Sequence, residues 1–286
     1  MTAQQPYIIF FIYLATIVDL KYNSYTMSRL KAFSIHLTLS AAIAASVIAL
    51  MLLLWYAPPF FSALGGKQVL LILLGVDVTL GPLFTLIIFN PLKSRKALTF
   101  DLSVIAILQT AALIYGMSVV FQARPVFVVF SKNSFDLVTA NMLSNEDIAK
   151  AKNPIYRSLP FTGPIYVYSE MPTDIKERNE VVWGAFSGKD LPEYPQYYMP
   201  YDEHMAVAGR AAKPLAELKK LNPYHTADIE NSIRASGRVE SDIGFLPLRA
   251  KYHDQVVLVG RSDGKILALL EVNPWPATDL SNRGKQ

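Results

Sequence analysis

Three long apolar stretches in the first 121 residues constrain the fold of this chain more than any other feature. They run from Ile35 to Tyr56, from Val69 to Phe89 and from Leu98 to Phe121. At a rise of 1.5 Å per residue, the first stretch makes a helix of about 33 Å, which spans a hydrocarbon core of about 30 Å. Core helices of soluble proteins rarely run this long without a polar face. The sequence therefore predicts three transmembrane helices.

The composition agrees with a membrane protein. Charged residues make up 17% of the 286 positions and hydrophobic residues 52%, whereas soluble domains carry about a quarter charged residues. A wholly soluble, disordered or fibrous chain is thereby excluded. The sequence has no cysteine, which excludes disulfides, iron–sulfur clusters, thiolate zinc sites and cysteine nucleophiles.

The basic residues that flank the stretches predict their orientation. Arg29 and Lys31 precede the first stretch, and the loop between the second and third contains Lys93, Arg95 and Lys96. The loop between the first and second has only one basic residue. By the positive-inside rule, the N-terminus and the 90–97 loop lie in the cytoplasm, and everything after about residue 122 lies outside. The sequence thus predicts a multi-pass membrane protein with a cytoplasmic N-terminus and a C-terminal domain outside the cytoplasm.

Four regions follow from these patterns. Residues 1–26 contain an apolar run of only 12 residues, too short to span a membrane. Because Met27 begins a basic segment directly before the first stretch, we interpret 1–26 as a mis-called N-terminal extension, the alternative being an interfacial helix. Residues 27–121 form the three-helix transmembrane region, 122–276 an outer domain and 277–286 a flexible polar tail.

The sequence pattern of the outer domain predicts an α+β fold with an antiparallel sheet. Hydrophobic alternation and turn residues predict a hairpin over 126–139, a strand over 164–168 and a C-terminal meander over 245–252, 255–260 and 265–272. Helical spacing predicts a short helix after Ser144, a helix over 173–186 capped by Thr173, a helix over 205–221 broken at Pro214, and a helix over 226–236.

Asp77 is the most informative single residue, because it lies near the centre of the second stretch. A carboxylate there costs about 2.5–3.5 kcal/mol on insertion scales and faces protein or water. By depth, Gln109 and Ser46 are its expected partners. Asp77 is then either a polar clamp among the three helices or a recognition point for a fourth helix from another protein. Four residues on, Gly81-Pro82 loosens the helix and lets another backbone approach.

The sequence motifs do not indicate an enzyme. Asp77 and Asp101 differ in depth by about 13 Å, whereas an aspartic protease dyad needs carboxylates about 3 Å apart. Asp101 instead is expected to charge the start of the third helix. The run Asp202-Glu203-His204 lacks a second histidine at metal-ligand spacing. We therefore expect a protein that is not an enzyme, with neither metal nor cofactor.

A tyrosine-rich loop is the strongest candidate for protein contact in the outer domain. Residues 194–201 contain two prolines and the tyrosines Tyr194, Tyr197, Tyr198 and Tyr201. Rigid aromatic loops make good protein-contact surfaces. The alternative is that these rings pack over the core of their own domain, and the sequence does not separate the two.

The second stretch and several shorter segments resemble a known family. Residues 74–86 (LGVDVTLGPLFTL) followed by a basic loop are similar to the TfpX/TfpZ family of type IV pilin accessory proteins. The start MSRLKAF at 27–33, the segment YYMPY at 197–201 and FLPLR at 245–249 are similar as well. The resemblance covers residues 27 to about 276 of the chain. It implies an inner-membrane protein needed for efficient assembly of a major pilin, and it supplies no catalytic residues.

The resulting hypothesis is a non-enzymatic assembly factor whose partners are a major type IV pilin and the lipid bilayer. Small residues on the first helix, from Ala41 to Ser46, would allow a pilin helix to approach closely. No feature indicates nucleic-acid binding. The alternative is a membrane-anchored periplasmic sensor or ligand-binding protein.

Overall fold

The computed structural model describes residues 27–276, and the predicted extension 1–26 and tail 277–286 lie outside that range. The chain divides into two compact units. A helical unit contains residues 27–53 and 67–122, and a sheet unit contains residues 54–66 and 123–276. The segment 54–66, which joins two of the long helices, thus belongs to the sheet unit. The sequence did not indicate this membership.

Three helices in the described range are long and apolar enough to cross a membrane. They are Arg29–Trp55 (span 1), Gly66–Ile88 (span 2) and Arg95–Gln122 (span 3). The prediction of three transmembrane helices is confirmed in number, and each span extends a few residues beyond the apolar stretch that predicts it.

The spans contain four regular helices and two π-helical turns, and a fifth short helix lies between span 1 and span 2. Span 1 consists of α1 (Arg29–Leu50) and a π-helical turn, Met51–Trp55. A short helix, α2 (Phe60–Ala63), follows it. Span 2 consists of α3 (Gly66–Leu74), the π-helical turn Gly75–Leu80 and α4 (Gly81–Ile88). Span 3 is the single helix α5 (Arg95–Gln122).

The sheet unit is built on a mixed sheet. Its strands are β1 (Pro125–Ser131), β2 (Ser134–Thr139), β3 (Ile165–Ser169), β4 (Tyr198–Pro200), β5 (Lys213–Pro214), β6 (Ile243–Arg249), β7 (Gln255–Gly260) and β8 (Ile266–Leu270). In the described range the order is β4-β3-β1-β2-β6-β7-β8, with β5 paired to β6. The α+β class is confirmed, and so are the predicted hairpin and C-terminal meander.

The sheet has two parallel pairings that the sequence did not predict, and the second of them joins the two halves of the sheet. β1 pairs with β3, and β2 pairs with β6. At the β2–β6 pairing Asp136 lies opposite Arg249, and the guanidinium contacts that carboxylate at 2.5 and 2.8 Å. Such parallel neighbours come from distant parts of the chain, so no local pattern marks them.

Five helices cover the sheet or extend from it. They are α6 (Asn145–Ala149), α7 (Ile175–Phe186), α8 (Met205–Ala211), α9 (Leu215–Leu221) and α10 (Thr226–Ser236). Ser144 caps α6 as predicted, and the predicted break at Pro214 separates α8 from α9. The N-cap of α7 is Asp174, which accepts from the Glu177 N–H at 2.9 Å, and the predicted cap at Thr173 is wrong by one residue.

Segment 54–66 is held in the sheet unit by hydrogen bonds at both of its ends. The Gly163 N–H donates to the Leu54 carbonyl at 2.9 Å. The Gln255 side chain, on the first residue of β7, donates to the Pro59 carbonyl at 3.0 Å and to Ser62 Oγ at 3.1 Å. The segment is thus part of the folded domain rather than a loose connection.

Candidate functional site

A cluster of buried polar residues lies inside the helical unit. All three spans contribute to it: His36 and Ser40 from span 1, Asp77 and Thr85 from span 2, and Gln109 from span 3. Polar groups without water are expensive unless they are hydrogen-bonded. Because these polar groups need partners, the cluster favours the one arrangement of the three helices in which they can hydrogen-bond.

The backbone carbonyl of Asp77 is the acceptor at the centre of this cluster. In an α-helix it would accept from the N–H of Gly81, four residues on. The π-helical turn shifts that N–H to the Val76 carbonyl, and the next residue, Pro82, has no N–H to offer. Gln109 Nε2 donates to the Asp77 carbonyl at 3.2 Å. One side chain of span 3 thus satisfies a buried backbone group that the local sequence of span 2 leaves without a donor.

Gly81 makes room for this hydrogen bond. A Cβ atom at Gly81 would lie 1.9 Å from Gln109 Nε2, and the rest of the amide would also clash. The sequence predicts that Gly81-Pro82 lets another backbone approach. The structure brings the amide of Gln109 to this position instead.

His36 and Thr85 complete the connection between the spans, and the sequence analysis did not single out either of them. His36 Nδ1 lies 2.6 Å from Thr85 Oγ1, which joins span 1 to span 2. Positions 77, 81 and 85 are spaced by four and share one face of span 2. That spacing is the signal that could have identified Thr85.

Ser46 does not join the cluster. Its side chain is exposed on span 1, and its hydroxyl donates to the Ala42 carbonyl at 2.9 Å, one turn back in the same helix. A serine with this local bond has no need of a partner on another helix. The expected pairing of Asp77 with Ser46 is therefore not observed.

The carboxylate of Asp77 takes no part in the hydrogen bonds that join the spans in the described residues. Asp77 is only 7% exposed, yet no residue between 27 and 276 donates a hydrogen bond to its side chain. The helices are joined through its carbonyl and through His36, Thr85 and Gln109. The buried carboxylate thus needs a reason other than holding the three spans together.

The basic residues predicted to set the topology lie at helix ends. Arg29 and Lys31 are in the first turn of α1, and Arg95 and Lys96 begin α5. Lys93 pairs with Asp101 at 2.6 Å. Asp101 therefore contacts the basic loop directly, in addition to lying near the start of span 3 as expected.

The four tyrosines of the 194–201 loop are all buried in the sheet unit. The Tyr198 hydroxyl donates to the Pro192 carbonyl, and the Tyr201 hydroxyl donates to the Gly264 carbonyl at 2.7 Å. Burial raises the pKa of both phenols, which keeps them protonated as donors. The structure favours the packing alternative for this loop. Its rings are core side chains rather than an exposed contact surface.

The run 202–204 also has a structural explanation. The His204 ring stacks on Tyr168 with centroids 4.6 Å apart, and its Nδ1 lies 3.0 Å from the Pro200 carbonyl. Within residues 27–276, no group of three histidine, aspartate or glutamate side chains is arranged to hold a metal ion.

Three apolar helices followed by an α+β domain define a membrane-anchored protein. The family model described as fimbrial assembly protein FimB matches residues 24–65. Two fimbrial assembly proteins of Dichelobacter nodosus, from serogroups E1 and I, are each 32% identical over 246 residues, covering 86% of this chain and 95% of the relative. A third, from serogroups C1 and C2, is 35% identical over 121 residues, covering 42% of this chain and 92% of the relative. No solved structure matches.

The chain therefore belongs to the fimbrial assembly protein family, and its role lies in pilus assembly.

Proposed function

We propose that this chain is a non-enzymatic accessory factor of the inner membrane that binds a cognate type IV major pilin and promotes its assembly into pili. The names of its relatives support the assembly role. The resemblance of residues 74–86 to the TfpX/TfpZ family supports the finer assignment to pilin accessory proteins.

The observation that carries the proposal is the Asp77 carboxylate. The polar cluster holds the three spans together without using it. A carboxylate near the middle of an apolar helix costs free energy unless something compensates it. The compensation we propose is a polar or cationic group on the pilin, brought in by the membrane-embedded part of that protein.

Span 1 offers a surface on which a partner helix could pack. Within the run 41–46 only Ala44 is buried, and the other small residues are exposed: Ala41, Ala42, Ala45 and Ser46. Small side chains let helix backbones approach closely in lipid. Weak packing of this kind also suits a partner that must leave again for the growing fibre.

The proposal is tested with Asp77→Asn in a piliated strain that carries no other copy of the gene. Asparagine keeps the size of the side chain and leaves the backbone carbonyl in place, so Gln109 can still donate to it. We expect normal protein abundance, reduced capture of pilin when the solubilised protein is pulled down, and fewer surface pili. Asp101→Asn is the matched control, because Asp101 lies in another span and pairs with Lys93.

Two results would contradict the proposal. Normal pilin capture by Asp77→Asn at normal abundance would remove the recognition role of the carboxylate. A wild-type pulldown that yields a bound small molecule and no pilin would favour the sensor or ligand-binding alternative. Gln109→Leu distinguishes loss of helix packing from loss of pilin recognition. It removes the interhelical hydrogen bond to the Asp77 carbonyl but leaves the Asp77 carboxylate in place. It should lower thermal stability modestly, because such bonds average about 0.6 kcal/mol.

A further inference from the structure

The sheet unit carries a patch of aromatic and basic side chains beside segment 54–66. Phe161 is 59% exposed and Tyr252 is 56% exposed. Lys251 and His253, on either side of Tyr252, are exposed as well. We call these four residues the loop-side patch.

One side of the patch is fixed to the start of segment 54–66. The Phe161 ring packs edge-on against Trp55, with ring centroids 6.1 Å apart. Two residues further on, the Gly163 N–H donates to the Leu54 carbonyl at 2.9 Å. Phe161 is therefore held directly beside the last residue of span 1.

The other side of the patch is fixed to the end of the segment. The N–H groups of Tyr252 and His253 both donate to the Ala63 carbonyl, at 3.2 and 3.3 Å. The Tyr252 ring lies so close to Gly65 that a Cβ atom there would be 2.9 Å from the ring. Tyr252 is thus held one residue before the start of span 2.

The positions where the chain enters and leaves the bilayer determine whether this patch lies near lipid or in bulk water. Span 1 ends at Trp55, span 2 begins at Gly66, and span 3 ends at Gln122, three residues before β1. The chain enters or leaves the bilayer at each of these points. Side chains fixed next to Trp55 and Gly65 must lie close to the membrane surface, because only one or two residues separate them from a span.

The chemistry of the patch matches that surface. Tyrosine and tryptophan rings concentrate at membrane–water interfaces, where one end of the ring is apolar and the other wet, and phenylalanine rings insert at the boundary between headgroups and acyl chains. A lysine beside such a ring reaches the lipid phosphates, and Lys251 Nζ lies 5.9 Å from the centre of the Tyr252 ring. We propose that the loop-side patch binds the lipid headgroup layer, so that the sheet unit is itself a membrane-surface domain. This inference does not depend on the identity of the pilin.

Depth measurements on the full-length protein test the proposal. The chain has no cysteine, so single cysteines can be introduced and labelled with a small environment-sensitive fluorophore. The labelled proteins, Phe161→Cys and Tyr252→Cys, are reconstituted into vesicles of phosphatidylethanolamine and phosphatidylglycerol. A fraction of the lipid carries a nitroxide just below the headgroup. We expect the nitroxide lipid to quench both labels.

Val239→Cys is the matched control, because Val239 is an apolar residue that is 69% exposed. β7 begins at Gln255, which contacts segment 54–66, and ends at Gly260, opposite Ile243. At about 3.3 Å per residue, that other end lies about 17 Å away. Val239 is four residues before Ile243, so its label reports on an exposed apolar position away from segment 54–66, and we expect less quenching there than at 161 and 252.

The outcomes separate lipid from other occupants of the patch. Quenching at 161 and 252 no greater than at 239 would overturn the proposal. Blue-shifted emission at 161 and 252 without lipid quenching would overturn it as well, in favour of a covering protein surface such as a second copy of the chain. Lys251→Cys leaves both rings in place and should be quenched like its neighbours, which excludes a local rearrangement as the cause.

Discussion

At the scale of single residues, Gly81, Pro82 and Gln109 together explain the irregular centre of span 2. Pro82 lacks the N–H that a π-helical turn would aim at the Asp77 carbonyl, and Gly81 donates elsewhere. Gln109 supplies the missing donor from span 3, and the absence of a Cβ at Gly81 lets it in. The Gly81-Pro82 pair therefore creates a binding position for the Gln109 side-chain amide, instead of only making the helix flexible.

Gly81→Ala should destabilise the helical unit, because the added methyl group would lie 1.9 Å from Gln109 Nε2. Expelling the amide removes the same interhelical hydrogen bond that Gln109→Leu removes, worth about 0.6 kcal/mol on average, and the steric clash adds to that loss. The measurement is the thermal unfolding midpoint of the purified protein in a mild detergent. We expect a clear decrease relative to wild type.

Gly75→Ala is the control for this substitution. Gly75 lies in the same π-helical turn, and a Cβ there would meet nothing within 4 Å. Alanine is favoured over glycine in a helix by up to about 1 kcal/mol, so this variant should be neutral or slightly stabilised. Equal behaviour of the two variants would show that the Gly81–Gln109 contact does not exist.

The sequence identified several residues of this site but not the hydrogen bonds that they make. Asp77, Gly81, Pro82 and Gln109 stand out because polar, glycine and proline residues are unusual inside an apolar stretch. That Gln109 would bond the carbonyl rather than the carboxylate depends on the π-helical register, which residue types alone do not encode. Ser46 was misjudged because depth in the membrane says nothing about which face of a helix a residue occupies.

At the scale of elements, α7 buries a different face from the one its pattern suggests. Its apolar residues Ile175, Val182, Trp183 and Phe186 are all exposed. Its buried contact is Val181, which packs with Leu191, Tyr194 and Tyr197. Helical spacing identified the element correctly, but the partner surface, a tyrosine-rich loop made later in the chain, decided which side faces inward.

Val181→Ala and Val182→Ala form a matched pair that tests this assignment. Val181 is 1% exposed and Val182 is 42% exposed. Removing two buried methyl groups should cost about 1.5–2 kcal/mol, whereas the neighbouring substitution should cost much less. Denaturant unfolding of the sheet unit, followed in the intact protein by tyrosine and tryptophan fluorescence, measures both. A larger loss for Val182→Ala would mean that α7 is rotated.

Local signals also explain which strands the sequence could predict. The β1–β2 hairpin turns at Lys132 and Asn133, which both have positive φ, as a two-residue hairpin turn requires. The β6–β7–β8 meander likewise joins neighbours through short turns. The β2–β6 pairing joins residues more than a hundred positions apart. Only the complete fold, with its Asp136–Arg249 contact, specifies that register.

At the scale of the whole molecule, the distribution of basic residues predicts how the chain is threaded through the membrane. Arg29, Lys31, Arg95 and Lys96 lie at the ends of spans that the positive-inside rule assigns to the cytoplasm. With three spans, this rule predicts that the sheet unit lies on the opposite side.

Reporter fusions check this threading. A reporter that is active only outside the cytoplasm should be active when fused after Gln122 and silent when fused after Lys93. The two fusion points differ by a single span, so the comparison counts spans and reports their direction together. The reverse pattern would show that the orientation deduced from the basic residues is wrong.

The membership of segment 54–66 in the sheet unit has a consequence for how the protein is made. Gln255, which holds Pro59, comes 196 residues later in the chain. At 5–20 residues per second, the ribosome delivers it about 10–40 s after Pro59. During that interval the early spans already exist while the loop between them lacks its binding partners. Segment 54–66 therefore gains its last hydrogen bonds only after β7 has been synthesised, so an early part of the chain is among the last to reach its final structure.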